Sequence, residues 1–201
     1  MGIYSFDGVC VPGIVVSCPP KPQTPGVFYI AEGDLGLGLF ASHYINPGDD
    51  ILHFGGPLID FNAAVAKGEK QCYPLQVAAN LYIDLEEPGC YANHSCEPNA
   101  GIRNLILKAL VGIQPGEEIR YDYSTTMDED YWEMPCLCGA PTCRERVTDF
   151  KYLCDSLREK YLMLGIVQPH ISTQYSGRRF FRRRIFESNR ERNRARILSG
   201  L

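Results

Sequence analysis

The sequence lacks any long apolar run. None approaches the roughly 20 residues that a membrane-spanning helix needs, and residues 1–16 contain no lysine or arginine, so they lack the basic start of a secretion signal. We therefore expect an intracellular protein, cytoplasmic or nuclear, without membrane association. With 201 residues, of which 45% are hydrophobic and 22% charged, the chain can form one domain plus an appendage, and this composition excludes a largely disordered protein.

Basic residues are scarce in the first two thirds of the chain. Residues 1–135 hold 6 lysines and arginines against 18 acidic residues, whereas residues 136–201 hold 14 against 6. The acidic part favours cationic partners such as a basic peptide or a polyamine. Residues 178–196 contain nine arginines and no lysine, so this tail binds nucleic acid, folds back on the acidic part or mediates oligomerisation. Docking or self-association is favoured, because the acidic part repels phosphate.

Short apolar runs separated by glycine, proline and aspartate predict a mostly β domain of the α+β class. The predicted strands lie at 27–30, 37–41, 50–54, 81–85, 100–103, 106–111 and 118–121. A short helix is predicted at 62–70. Apolar residues spaced by three and four predict an amphipathic helix at 147–164, with Gly165 as its stop. The proline-rich residues 1–25 predict an irregular segment.

The nine cysteines are an odd number in a chain without an export signal, which favours metal binding over disulfides. Cys136, Cys138 and Cys143 lie within eight residues. A tetrahedral zinc ion needs four ligands, and Cys96, in a dense polar motif, is the best candidate for the fourth. The alternative is a set of unpaired buried thiols.

Four motifs together resemble the SET-domain methyltransferase family with its post-SET zinc motif. They are G-L-G-L-F-A at 36–41, N-H-S-C-E-P-N at 93–99, G-E-E-I-R-Y-D-Y at 116–123 and C-x-C-x4-C at 136–143. They occur in the family's order, and the resemblance covers residues 26–145. It implies a β-clip of small curled sheets with a pseudoknot, in which residues 93–96 pass beneath a loop near 121–123. It also implies a SET domain at 26–125 and a post-SET zinc motif at 126–145, and the helical spacing and arginine content described above predict a helical, arginine-rich tail at 146–201.

The resemblance implies S-adenosylmethionine as cofactor and zinc held by Cys96 with the three post-SET cysteines. Tyr123 matches the family's catalytic tyrosine. Tyr121 matches the position that sets how many methyl groups are added, and a tyrosine there resembles members that stop at one or two. The implied cofactor-binding residues are Gly36, Leu37, Gly38, Leu39, Phe54, Asn93, His94, Tyr123 and Leu137.

The sequence also departs from the family pattern. Phe54 stands where the family has a tyrosine hydroxyl, Cys90 stands where it often has arginine, and the span from 56 to 93 is short. Trp132 either walls the pocket or packs in the core. Seven acidic residues either line a substrate channel or form a solvated face: Glu86, Glu87, Glu97, Asp128, Glu129, Asp130 and Glu133.

Three functions follow. The first is methyl transfer to lysine in a protein such as a histone, with mono- or dimethylation. The second is N-methylation of polyamines or other small amines. The third is a non-catalytic binding module that retains cofactor and zinc.

Overall fold

The computed structural model describes residues 26–68 and 73–175. The proline-rich segment at 1–25, Cys72 and the arginine-rich stretch lie outside the described residues, so the predictions made for them stay predictions.

The described chain is built from short strands in small sheets, as predicted. The strands are β1 (Phe28–Gly33), β2 (Gly36–Ala41), β3 (Asp50–His53), β4 (Leu58–Ile59), β5 (Pro74–Ala78), β6 (Leu81–Asp84), β7 (Asn93–His94), β8 (Ala100–Arg103), β9 (Ile106–Ala109), β10 (Arg120–Tyr121), β11 (Met134–Pro135) and β12 (Arg146–Val147). The helices are α1 (Phe61–Val65), α2 (Asp155–Leu164) and α3 (Pro169–Tyr175). Single 3-10 turns occur at Gly89–Tyr91, Tyr123–Thr125 and Phe150–Tyr152.

The strands form five sheets of two or three strands in the described part of the chain. Two sheets have three strands, in the orders β3-β9-β8 and β4-β6-β5, and β1-β2, β7-β10 and β11-β12 are pairs. All pairings are antiparallel except that between β7 and β10. The mostly β prediction is therefore confirmed. No helix in the described part is long and apolar enough to cross a bilayer.

The predicted helix at 147–164 is wrong in its first half. Val147 lies in β12, Phe150 in a 3-10 turn, and the α-helix begins only at Asp155. Its end is correct, because Gly165 adopts φ +65°, the left-handed conformation that glycine accepts at a helix terminus. The predicted helix at 62–70 is shorter than expected: α1 ends at Val65.

Three hydrophobic clusters organise the described chain. The largest lies among the first ten strands and includes the fully buried Leu39, Leu107 and Ile119. The second surrounds the cysteine motif, and the third joins the 3-10 turn at Phe150–Tyr152 to α2 and α3. The second cluster touches the first through Tyr123, which packs against both.

Candidate active site and metal centre

The parallel pair β7–β10 brings two of the sequence motifs together. Asn93 pairs with Arg120 and His94 with Tyr121, and the N–H of Ser95 donates to the Tyr121 carbonyl at 3.0 Å. The N-H-S-C segment thus lies directly beside the strand that leads into Tyr123.

Tyr121 and Tyr123 form an aromatic pair at this junction. Their ring centroids are 4.9 Å apart, and the Tyr123 hydroxyl donates to the Ala92 carbonyl at 2.9 Å. Phe54 is 1% exposed, and its ring lies 6.1 Å from that of Tyr121. The position without a hydroxyl therefore supports the tyrosine pair from the core side.

His94 is buried under Tyr123, and its hydrogen bonds define its tautomer. The Tyr123 backbone N–H donates to Nδ1 at 3.2 Å, so Nδ1 is the acceptor and Nε2 carries the proton in the neutral ring. Burial lowers the pKa of His94 to about 4, which keeps the ring neutral. Nε2 then donates to the Cys96 Sγ at 3.4 Å. The ring supports the thiol, and any cofactor contact of His94 would come from its main chain.

Three cysteines converge with this histidine, and the fourth predicted ligand, Cys143, lies outside their group. The potential ligand atoms of His94, Cys96, Cys136 and Cys138 all lie within 4.8 Å of one another, and Cys96 and Cys136 place their sulfurs 3.7 Å apart. The Cys143 thiol donates to the Cys136 carbonyl at 3.6 Å. Since His94 Nε2 carries its proton toward sulfur, the members of this group that could hold a metal ion are the thiols of Cys96, Cys136 and Cys138.

Backbone amides surround the sulfurs as well. The N–H of Cys96 donates to Cys138 at 3.5 Å, that of Arg144 to Cys96 at 3.4 Å and that of Glu145 to Cys143 at 3.4 Å. Burial raises the pKa of the Cys96 thiol to about 11. Burial also opposes ionisation of Cys138, but hydrogen bonds from the Cys96 and Ala140 amides outweigh it and lower that pKa to about 7. Amide donors around packed thiols suit a thiolate cluster that binds a divalent cation.

The glycine strand β2 lies on the other side of Asn93. The Asn93 side chain donates to the Leu37 carbonyl at 3.1 Å and to the Glu118 carboxylate at 2.8 Å. A Cβ at Gly38 would clash with Glu118 and lie 3.1 Å from the Asn93 amide, so this close approach requires glycine. A Cβ at Gly36 would meet no described atom within 4 Å. The main chain there is open, which fits a bound cofactor.

The remaining predicted cofactor residues divide by burial. Leu39 is 0% exposed and lies in the core, so its side chain supports the strand. Leu137, between two of the clustered cysteines, is 62% exposed, and its side chain is available to a ligand.

A cleft opens beside the tyrosine pair, between α1, β5–β6 and the segment at 126–132. Its empty volume is about 540 Å³, including its solvent-open part. Tyr121, Tyr123 and Trp132 line it. Trp132 is also 8% exposed and belongs to the cluster around the cysteines, so it both lines the cleft and packs in a core.

Of the two alternatives for the seven acidic residues, a substrate channel or a solvated face, the channel finds little support, because several of them form polar pairs away from the cleft. Asp130 pairs with Lys151 at 2.5 Å, Glu133 with Arg146, and Glu97 accepts from the Thr142 hydroxyl at 2.6 Å. Among the seven acidic residues considered, only Glu129 lines the cleft described above.

Sequence reasoning missed Arg144. Its two Nη atoms donate to the two carboxylate oxygens of Asp122 at 2.8 Å each, and its backbone N–H reaches Cys96. The only signal in the sequence is its position directly after Cys143.

Comparison with known proteins gives a family match over part of the chain. Residues 36–124 match the family model described as SET domain.

Over 126 residues, the chain is 34% identical to a histone-lysine N-methyltransferase, H3 lysine-4 specific, of Schizosaccharomyces pombe, covering 54% of this chain and 14% of that protein. It is 31% identical over 137 residues to the histone-lysine N-methyltransferase ash1 of Drosophila melanogaster, covering 60% of this chain and 6% of that protein. The match thus spans a small part of these curated relatives.

Among solved structures, the chain is similar to KRYPTONITE in complex with mCHG DNA and SAH. The TM-score is 0.49 at 22% identity, over 63% of this chain and 30% of that one.

Proposed function

We propose that this protein is an S-adenosylmethionine-dependent N-methyltransferase that acts on lysine side chains of a basic protein. The observation that carries the proposal is the Tyr121–Tyr123 pair, which lines an aromatic cleft within a SET domain. The relatives named histone-lysine N-methyltransferases support a basic protein substrate and a nuclear location.

Gly36, Asn93 and Leu137 offer a main-chain opening, a side-chain carbonyl oxygen and an exposed apolar surface for S-adenosylmethionine. When bound, this cofactor supplies an electrophilic methyl group. The four thiols of Cys96, Cys136, Cys138 and Cys143 would hold zinc, which ties the segment after residue 135 to the core.

The cleft prepares the acceptor amine. A free lysine has a pKa near 10.4, and removal from water between apolar rings lowers the pKa of an amine. The Tyr123 hydroxyl donates a hydrogen bond to the Ala92 carbonyl. Its oxygen therefore acts as a hydrogen-bond acceptor toward a bound amine and orients the nitrogen. The Tyr121 ring, 4.9 Å away, limits the space around that nitrogen. Orientation of this kind is a major source of rate in transfer reactions.

A second candidate function, N-methylation of a polyamine, is favoured by one observation: an acidic side chain, Glu129, lines the cleft. Such a group attracts any cationic amine and does not by itself distinguish a peptide from a small molecule.

The test is incubation of the purified chain with labelled S-adenosylmethionine and two separate acceptor pools, core histones and mixed polyamines. Label in protein supports the proposal and identifies the substrate band. Label only in polyamines overturns the substrate class, and cofactor binding without transfer to any amine indicates a binding module. The Tyr123→Phe variant shows whether the label depends on this site.

A further inference from the structure

The cleft beside the tyrosine pair has a second aromatic corner. Phe61 and Tyr131 meet edge to face, with centroids 5.0 Å apart, and Phe61 lies 6.4 Å from Tyr82. All three rings line the same cleft as Tyr121 and Tyr123. An aromatic face attracts a cation placed over it, and guanidinium groups use such faces most often.

A carboxylate lies at this corner. Glu129 accepts a hydrogen bond from the hydroxyl of Tyr82, which is itself 4% exposed. The loop that carries Glu129 is held on both sides. The backbone N–H of Glu129 donates to the Asp149 carboxylate at 2.9 Å, and the backbone N–H of Asp128 donates to the Gln76 side chain at 2.9 Å. The carboxylate is therefore presented by a fixed segment.

Glu129 differs from its acidic neighbours in lacking a cation. Lys151 lies within 4.0 Å of Asp128, Asp130 and Asp149. Within residues 26–68 and 73–175, no lysine, arginine or histidine lies that close to the Glu129 carboxylate. Burial, with a smaller contribution from Asp149, raises the pKa of Glu129 to about 7. A bound positive charge would favour its ionised form.

We propose that Glu129, with the rings of Phe61, Tyr82 and Tyr131, is a second cation subsite that binds the guanidinium group of an arginine flanking the acceptor lysine. This inference rests on the proposed function, because it places the acceptor amine at the Tyr121–Tyr123 end of the cleft. A planar guanidinium can stack on an aromatic ring and donate to a carboxylate at once, which an ammonium group does less well.

The test uses tryptophan-free peptides with one lysine and otherwise neutral residues. Arginine is placed in turn at each position on either side of the lysine, and citrulline, which has the same shape without the charge, replaces it in matched controls. Trp132 is the single tryptophan of the chain and lines the cleft, so its fluorescence reports binding without any methyl transfer. Titrations are made at about pH 8, above the pKa of Glu129.

We expect arginine at one position to tighten binding about ten-fold over citrulline, the size of a charge-assisted contact in a partly buried site. The Glu129→Gln side chain can still accept a hydrogen bond from Tyr82. In this variant the ratio of arginine-peptide affinity to citrulline-peptide affinity should fall below about two-fold. Glu133→Gln is the matched control, because Glu133 is 43% exposed and pairs with Arg146 outside the cleft, and it should keep the full ratio. Phe61→Leu removes the aromatic face without touching the carboxylate and should also reduce the ratio.

The inference is overturned if no arginine position tightens binding, or if the ratio survives in both folded Glu129→Gln and folded Phe61→Leu. Spermidine is titrated in parallel, and Glu129-dependent binding of spermidine without any arginine preference also overturns it. Methyl transfer to the same peptides is measured separately by mass spectrometry. Arginine-dependent binding without methyl transfer would reject the proposed function and support the cation subsite. Methyl transfer without any arginine dependence would support the proposed function and reject the cation subsite.

Discussion

Arg144 forms a bidentate ion pair with Asp122, in which each terminal nitrogen donates to one carboxylate oxygen at 2.8 Å. The Asp122 side chain is fully buried and also accepts from the Tyr161 hydroxyl of α2 at 2.8 Å. One carboxylate thus joins the segment after β10, the residue that follows the cysteine motif, and α2.

Removal of the charge from this carboxylate should destabilise the whole fold. Asp122→Asn leaves the Arg144 guanidinium partly buried without its counterion, and we expect a loss of about 3–5 kcal/mol in the free energy of unfolding. Urea denaturation measures it. Arg146→Gln is the control, because the Arg146–Glu133 pair is exposed and should cost less than about 1 kcal/mol. Equal losses in the two variants would contradict a central role for Asp122.

Loss of one clustered thiol should release the metal. Cys138→Ser removes a sulfur that contacts Cys96 and Cys136, and elemental analysis should show zinc in the wild type and little in the variant. Cys154→Ser is the matched control, since Cys154 is exposed and lies outside the cluster. If Cys138→Ser retains the wild-type zinc content, the four-thiol site is wrong.

Removal of the Tyr123 hydroxyl should slow turnover and spare cofactor binding. Tyr123→Phe keeps the ring but loses the oxygen that orients the amine, and a fall of about 10²-fold in kcat is expected. Cofactor affinity from calorimetry should change little. Tyr29→Phe serves as control, because Tyr29 is 45% exposed on β1 and does not line the cleft. Full turnover by Tyr123→Phe would exclude a catalytic role.

The product distribution should depend on Tyr121. In Tyr121→Phe the loss of the hydroxyl enlarges the space next to Tyr123, so we expect more methyl groups per lysine than in the wild type. Mass spectrometry of a single-lysine peptide measures the distribution. Identical distributions at equal conversion would argue against Tyr121 as the residue that limits methylation.

The stability of the chain should depend on pH through Glu129. Its pKa rises from 4.5 to about 7 on folding, chiefly because of burial. Between these two values the unfolded chain has released a proton that the folded chain still holds, so wild-type stability falls as pH rises through this window. The stability of Glu129→Gln does not fall in this way, because glutamine does not ionise. The Tm of the variant minus that of the wild type should therefore increase from about pH 4.5 to about pH 8. A difference in Tm that stays constant over this range would show that Glu129 ionises normally.

Much of the fold could be predicted because its strands are bounded by local turn signals. β8 appears as expected, and β2 and β9 lie within one or two residues of their predicted bounds. The two-residue strands β4, β7, β11 and β12 were missed, because strands this short have no periodicity and exist only through their partners. The five-residue β5 was missed as well. The error at 147–154 has the same origin. Val147 packs with the cysteines and Phe150 with α2 and α3, so helix-like spacing arose from burial in two different clusters.

In the candidate site, too, the features that local sequence signals could predict differ from those that depend on distant parts of the chain. The tyrosine pair and the cysteines at 136–143 are local motifs. Tyr121 and Tyr123 lie together in the structure, and so do Cys96, Cys136 and Cys138. The assignment of those residues to cofactor, catalysis and metal stays a prediction. Glu129 could not be separated from six other acidic residues by sequence, because what distinguishes it is that Lys151 compensates Asp128 and Asp130 from a distant part of the chain.

The side chain of Ile166, directly after Gly165, packs onto the main chain of Gly101 in β8. A Cβ at Gly101 would lie 2.6 Å from Ile166 Cγ2, and Arg103 donates to the Leu164 carbonyl at 2.5 Å. The match to the SET family ends at residue 124, yet the surface of β8 is completed by residues 40 positions further on. A fragment cut at the family boundary would therefore expose the main chain of Gly101 on β8 to water, because it would lack the Ile166 side chain that covers it.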